Sequence, residues 1–261
     1  MAKVLVIPDV HLKPFIFDMA DTIMKKFNLD IAVFVGDLVD DWAKENDIKL
    51  YKDTITRAIK FKNDYPNSLF CWGNHDIGYL TDYWTCTGNS IFYRNDIRLL
   101  LNQYEREVEP KYIQYIDNCL FSHAGVSNDL MVNLEKASDY NVNIEDIAEM
   151  FNHRSFTYMG EYNSPLWLRP ELSTSYYSKF VQIIGHTPMK EIHNMNNMWF
   201  VDTFSTTPNG LAYGNREFMI IGTRSHNVAC FTVSKNRVKQ TKFIVNNELD
   251  KEKLWSNKKD Y

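Results

Sequence analysis

What this sequence lacks narrows it before anything it contains. Its 261 residues include only four cysteines, Cys71, Cys86, Cys119 and Cys230, with no C-x-x-C pair and no framework spacing. No disulfide scaffold is expected, and the thiols read as reduced, as in a cytoplasmic protein. Basic charge is not in excess: 29 Lys and Arg stand against 33 Asp and Glu, a formal net charge of −4. The chain is therefore not held on nucleic acid or anionic lipid mainly by electrostatics. No run of 18 apolar residues occurs, so no membrane-spanning helix is expected. One lysine precedes a strand-like run at the N-terminus, which is unlike a signal peptide. Repeats, low-complexity segments and linkers are missing too. The expected organisation is a single domain over residues 1–245, with a charged tail over 246–261 that frays. What remains is ordinary globular composition, 44% hydrophobic and 24% charged. A chain of this length buries about 70–75% of its unfolded surface.

Residues 3–8 form a short, partly β-branched apolar run closed by proline, the pattern of a buried strand, and Asp9 and His11 follow at once. Apolar residues then recur with helical period over 15–27. A second strand over 31–35 leads into Gly36-Asp37-Leu38-Val39-Asp40. An amphipathic helix over 47–61 ends before Tyr65-Pro66, and a third strand over 69–72 leads into Gly73-Asn74-His75-Asp76. Three strand–polar cluster–helix units in about 75 residues predict parallel βαβ organisation. Further on, 95–107 reads as helix, 113–121 as one or two strands ending at Ser122-His123-Ala124-Gly125, and 127–153 as helices. An aromatic-rich loop spans 154–180, with Tyr158, Tyr162, Trp167, Tyr176 and Tyr177. Another strand, 180–184, is closed by Gly185-His186-Thr187-Pro188. The segments 197–202, 217–222, 227–234 and 239–245 alternate like antiparallel strands.

The informative feature is a recurrence. Strands ending near residues 8, 35, 72, 121 and 184 each deliver Asp, His or Asn at the turn. The carboxyl end of a strand in an α/β sheet is where such folds build their sites. Four of the seven histidines, His11, His75, His123 and His186, lie there, while His153, His193 and His226 have no such context. Imidazole, carboxylate and amide oxygen without thiolate suit divalent Mn, Fe, Zn or Co. Six ligands are too many for one ion that keeps an open position, and they suit two ions bridged by a carboxylate.

Asp9-x-His11, Gly36-Asp37-x-x-Asp40, Gly73-Asn74-His75-Asp76, His123-Ala124-Gly125 and Gly185-His186-Thr187-Pro188 together resemble the ordered motifs of the calcineurin-like metallophosphoesterases, over residues 9–188. Val201-Asp202-Thr203 resembles a strand that follows them. The resemblance implies an α/β fold of two mixed β-sheets packed as a sandwich and flanked by helices in four layers, with metals at one sheet edge. It also implies that Asp9, His11 and Asp37 hold one ion, and that Asp37, Asn74, His123 and His186 hold the second. His75 would contact the phosphate and give the leaving group its proton, with Asp40 orienting it. Two divalent ions are implied, Mn first, then Fe, Zn, Co or Ni. Hydroxide held between them would attack phosphorus in line; lowering the water pKa from 15.7 toward about 7 eases hydroxide formation by about 12 kcal/mol.

Within the family, Pro188 stands where many phosphodiesterases and nucleases carry a second histidine. The motif therefore looks like the phosphoprotein phosphatase branch and the similar diadenosine tetraphosphatases. Pro165-Leu166-Trp167-Leu168-Arg169-Pro170 is similar to a tryptophan–arginine segment of bacterial members, which implies Arg169 as a bidentate phosphate clamp; the competing reading is a surface arginine beside a proline turn. The departures concern the substrate. Asp41-Trp42 follows Asp40 where that branch has an arginine and a glycine, Pro8 and Leu12 flank the first motif, and Asp76 replaces Glu. The expected substrate is a phosphomonoester, in a protein or a small phosphorylated molecule. A dinucleoside polyphosphate, a diester or a nucleic-acid end is the alternative, and a non-catalytic scaffold of the same fold the remote one. Tyr79, Tyr83, Trp84, Tyr158, Tyr162 and Trp167 read as packing rather than as a wall for a nucleobase.

Overall fold

The computed structural model describes residues 2–132, 143–154, 156–170, 179–195, 197–235 and 237–245. Its elements run β1 (Lys3–Ile7), α1 (Phe15–Phe27), β2 (Ile31–Phe34), α2 (Ile48–Asp64), β3 (Leu69–Phe70), α3 (Asn74–Leu80), α4 (Arg94–Val108), β4 (Ile113–Ile116) and β5 (Cys119–Ser122). They continue with α5 (Ile144–Asn152), α6 (Phe156–Met159), β6 (Val181–Ile184), β7 (His193–Met195), β8 (Met198–Phe200), β9 (Phe218–Gly222), β10 (Val228–Ser234) and β11 (Arg237–Ile244). Six strands form one sheet in the order β11-β10-β9-β1-β2-β3, and five form another in the order β4-β5-β6-β8-β7. β1, β2 and β3 are parallel, as the βαβ reading expects, and β9 closes antiparallel onto β1.

The period of two along each strand sorts residues between two cores. Val4, Val6, Val33, Val35, Met219, Ile221, Val228 and Cys230 from the first sheet meet Cys119, Phe121, Val181, Ile183 and Trp199 from the second. Their alternates Leu5, Ile7, Phe34, Phe218, Ile220 and Phe231 turn the other way, onto the helices. There α1 buries Ile16, Phe17, Ala20, Ile23 and Met24, and α4 buries Ile97, Leu101, Tyr104 and Val108, each set recurring at helical spacing. Cys71, Cys119 and Cys230 are thus small apolar fillers between the sheets, and all four thiols are free.

Residues 113–121 take the two-strand alternative, as the antiparallel pair β4 and β5. The structure departs from the sequence reading elsewhere. β8 does not continue an antiparallel series: it runs parallel to β6 in the second sheet and pairs antiparallel only with the short β7, which the sequence did not suggest. Asn74 and His75 do not sit in a plain turn but open the helix α3. Of the segments read as helices over 127–153, residues 128–132 and α5 are helical, while 133–142 lie outside the described residues. So do Tyr176, Tyr177 and the tail over 246–261. Among the described residues no helix is long and apolar enough to cross a membrane.

Candidate metal centre at the strand ends

All five polar clusters end parallel strands and meet at one place. Asp9 and His11 follow β1, Asp37 and Asp40 follow β2, Asn74 and His75 follow β3, His123 follows β5 and His186 follows β6. Asp37 Oδ2 lies 3.2 Å from His123 Nε2 and 3.5 Å from His11 Nε2. His123 Nε2 lies 2.8 Å from Asn74 Oδ1 and 3.0 Å from His186 Nδ1. Ligand bonds of about 2.0–2.2 Å place neighbouring ligand atoms of an octahedral ion roughly 2.8–3.1 Å apart. The contacts of His123 at 2.8 and 3.0 Å fall in that range and are compatible with atoms sharing a cation.

Hydrogen bonding leads to the same conclusion. His123 Nδ1 faces Val35 O at 3.1 Å while its Nε2 faces Asn74 Oδ1. Both ring nitrogens therefore face oxygen acceptors, an arrangement that suits a metal ion beside Nε2. His11 Nδ1 donates to Asp40 O at 3.0 Å, which turns the lone pair of Nε2 toward Asp37. Burial lowers His11 to about 4, against the pull of Asp37, and lowers His186 well below the usual imidazole range with help from His123 and Arg169. Both are neutral at pH 7, the state a metal ligand requires. Asp9 accepts from His186 N at 2.8 Å, but its other oxygen is buried without any hydrogen-bond partner. Burial, then the charges of Asp202 and Asp37, raise Asp9 well above the usual carboxylate range. Burial also opposes ionisation of Asp37, yet His123 and His75 hold it well below that range. An orphaned buried carboxylate oxygen and clustered acids fit a bound cation.

Among the described residues, two groups of side chains converge closely enough to hold a metal, His11–Asp37–His75 and Asp37–His123–His186, and Asp37 belongs to both. Asp9 is in neither group, and His75 is in the first. The backbone is bent to make this possible. His11, Asp37, Asp40 and His186 all have positive φ, at 42°, 56°, 65° and 62°. Non-glycine residues there cost about 1–3 kcal/mol each and persist where the surroundings over-determine them. Two glycines give the loops their close approach. A Cβ on Gly73 would sit 2.1 Å from Asp37 Oδ1, and one on Gly185 would sit 1.7 Å from Asp9 Oδ1.

Behind the cluster, Asp40 Oδ2 lies 2.9 Å from His75 Nδ1, and its other oxygen accepts from Tyr51 at 2.8 Å and Tyr79 at 2.6 Å. Tyr79 accepts in turn from Ser90 N. Burial opposes protonation of His75, but the charges of Asp37 and Asp40 win and push it up to about 9. Its Nδ1–H is thereby fixed on Asp40, and Nε2 is the nitrogen free to serve the cluster.

Sequence reasoning missed several supporting residues. Asp76 is fully buried: it accepts from Gly73 N at 3.0 Å, Leu38 N at 2.8 Å and Val39 N at 3.2 Å, fastening the second motif to the third. Lys13 donates to His11 O at 3.1 Å and pairs with Asp41 at 3.0 Å, and Thr206 donates to the same Asp41 oxygen. The position that lacks an arginine thus holds an acid that occupies a lysine. Asp202, buried just after β8, adds a carboxylate at a sixth strand end; its pattern was visible, but not that its strand is parallel. Arg169 is half-buried and donates to His186 O at 3.0 Å, so it borders the cluster. The aromatic residues do not form one wall. Trp84 and Trp167 meet edge to face at 6.1 Å, Tyr79 lies buried behind His75, and Tyr83 and Tyr162 are exposed. Neither of two surface cavities, one beside residues 43–49 and one between α4 and α5, is lined by any of the clustered side chains.

The sequence model of the calcineurin-like phosphoesterases matches residues 2–212. No curated protein sequence matches the chain. Among solved structures, Yfce, a phosphoesterase from E. coli, is 9% identical over 94% of this chain and 100% of its own, with a TM-score of 0.45. A metallophosphoesterase from Sphaerobacter thermophilus is 12% identical over 93% and 89%, with a TM-score of 0.39. Vacuolar Protein Sorting 29 from Cryptosporidium parvum is 9% identical over 94% and 98%, with a TM-score of 0.37. Likeness this slight carries neither a substrate nor a partner to this chain.

Proposed function

The chain belongs to the calcineurin-like phosphoesterase family, and from that premise we propose that its strand-end cluster binds two divalent ions and hydrolyses phosphomonoesters. Membership makes the protein a metal-dependent hydrolase of phosphate esters; the substrate and the residue roles are the proposal. Asp9, His11 and Asp37 would hold one ion, and Asp37, Asn74, His123 and His186 the other, with Mn the first choice for this oxygen and imidazole set. When bound, such a pair supplies Lewis-acid polarisation of a phosphoryl oxygen and a water of lowered pKa.

The protein's own groups do the rest. Asp9 and Asp37 neutralise only two of four positive charges, so the site stays cationic and draws in a phosphate. Arg169 orients the phosphate from the His186 side with a planar fork. As water adds to phosphorus, giving up one proton to solvent, and the ester P–O bond breaks, the leaving oxygen takes the proton from His75 Nε2, while Asp40 holds Nδ1. No phosphoenzyme is needed. The observation that carries this reading is Asp37 Oδ2, seated between His123 at 3.2 Å and His11 at 3.5 Å.

Pro188 after Gly185-His186-Thr187 supports the phosphoprotein phosphatase and diadenosine tetraphosphatase side of the family, with a phosphorylated protein or nucleotide as substrate, acted on in the cytoplasm. One observation favours a second reading, hydrolysis of a dinucleotide or diester. Asp41 neutralises Lys13, leaving less positive charge for a terminal phosphate dianion. Turnover of p-nitrophenyl phosphate, its bis-ester and diadenosine tetraphosphate, each with Mn, separates the two. Faster turnover of the diester or the dinucleotide replaces the first reading by the second.

A further inference from the structure

We infer that Cys86 is a positioning residue for Asn74, an inference that rests on the two-metal reading above. Asn74 is useful to a cation only through Oδ1, and its amide is nearly symmetric in shape, so neighbouring groups decide which end faces the cluster. In a metal-free cluster those neighbours favour the wrong end. A flipped amide would direct Nδ2–H at His123 Nε2, 2.8 Å from the present Oδ1. The opposing contact is the thiol of Cys86. Its sulfur accepts from Asn74 Nδ2 at 3.2 Å and donates to the Asn74 backbone carbonyl at 3.4 Å. A single Sγ thus holds both ends of the residue.

The indole of Trp84 adds a second bond to the same carbonyl, Nε1 to O at 3.3 Å. The segment after α3 therefore folds back over the first turn of that helix and clamps Asn74 from outside the cluster. Cys86 is the member of the clamp that distinguishes oxygen from nitrogen at the amide. It differs from the other three thiols, which fill space between the sheets. Partners of metal ligands typically contribute 10–100-fold in metal affinity.

Cys86→Ala removes the clamp and Cys86→Ser rebuilds it, because a hydroxyl also accepts and donates. Titration of chelator-treated protein with Mn, read by calorimetry and by electron paramagnetic resonance of free Mn, reports the two sites independently of turnover. The expected result is that Cys86→Ala weakens one site by about 10–100-fold and leaves the other unchanged, with Cys86→Ser restoring most of the loss. Thermal unfolding without metal verifies that all three proteins are folded. Wild-type protein with two sites and Cys86→Ala with the same two affinities overturns the inference alone. A loss that Cys86→Ser does not restore overturns it also, since the cavity rather than the hydrogen bonds is then responsible. Wild-type protein that binds no Mn overturns both this inference and the reading beneath it.

Discussion

Replacing Gly185 by alanine tests whether the crowding at the strand ends serves the cluster. The new Cβ would sit 1.7 Å from Asp9 Oδ1. Real contacts of this kind stay at 3.0 Å or more, so the carboxylate must retreat by at least about 1.3 Å. Metal–ligand distances tolerate about 0.2 Å. The displacement is several times that tolerance, and it also pulls Asp9 from His186 N, a bond of 2.8 Å. Losing such a bond costs about 0.5–1.5 kcal/mol, and overpacking costs about 1–3 kcal/mol. Gly185→Ala is expected to fold with a lower melting temperature, to lose one Mn from its titration and to lose turnover. Gly78→Ala is the control in a nearby helix. There the Cβ meets nothing closer than 3.6 Å, and alanine favours the helix by about 0.5–1 kcal/mol. Calorimetric Mn titration and thermal unfolding of both variants read the difference. A Gly185→Ala protein that keeps two Mn sites at wild-type affinity would refute the reasoning, because Asp9 could then move without consequence.

His75 and Asp40 make a second test. His75→Ala is expected to leave Mn stoichiometry intact and to lower kcat about 10²–10⁴-fold on an alkyl phosphate. The loss should be much smaller on p-nitrophenyl phosphate, whose leaving group needs little protonation; equal losses on both would remove the proton-donor role. Asp40→Asn should fall in the same direction by less. Asp41→Asn frees Lys13 from a 3.0 Å ion pair. An interaction of about 1 kcal/mol corresponds to roughly fivefold, so KM for a phosphomonoester should drop about three- to tenfold and become more sensitive to salt. An unchanged KM would show that Lys13 does not meet the substrate.

The parts of the fold that were legible are those whose information is local. β1, β2, β3 and β6 announce themselves as apolar runs that stop at Asp9, Asp37, Asn74 and His186, and the metal-ligand residue types at each stop repeat. α1, α2 and α4 carry their apolar period on the surface of the sequence. Pairing is different. β8 looks like its antiparallel successors because a strand's own pattern does not encode its neighbour's direction. β7 is three exposed residues with no apolar pattern at all. α3 begins at a glycine, so the usual Ser or Thr cap is missing and the capping role falls to Asp76. The supports of the cluster are also contacts between distant residues: Lys13 with Asp41, Asp76 with Leu38, Asp202 beside Asp9. Tyr79 reads as packing, yet it turns out to hold Asp40 as well, together with Tyr51.

The central claim is that one carboxylate, Asp37, joins two metal sites. Titrating chelator-treated wild-type protein and its Asp37→Asn variant with Mn tests it most directly. The account predicts two Mn per wild-type chain and loss of high-affinity binding at both sites in the variant, with a circular dichroism spectrum that stays native. Two sites in the variant, or loss of one site with the other untouched, would contradict it.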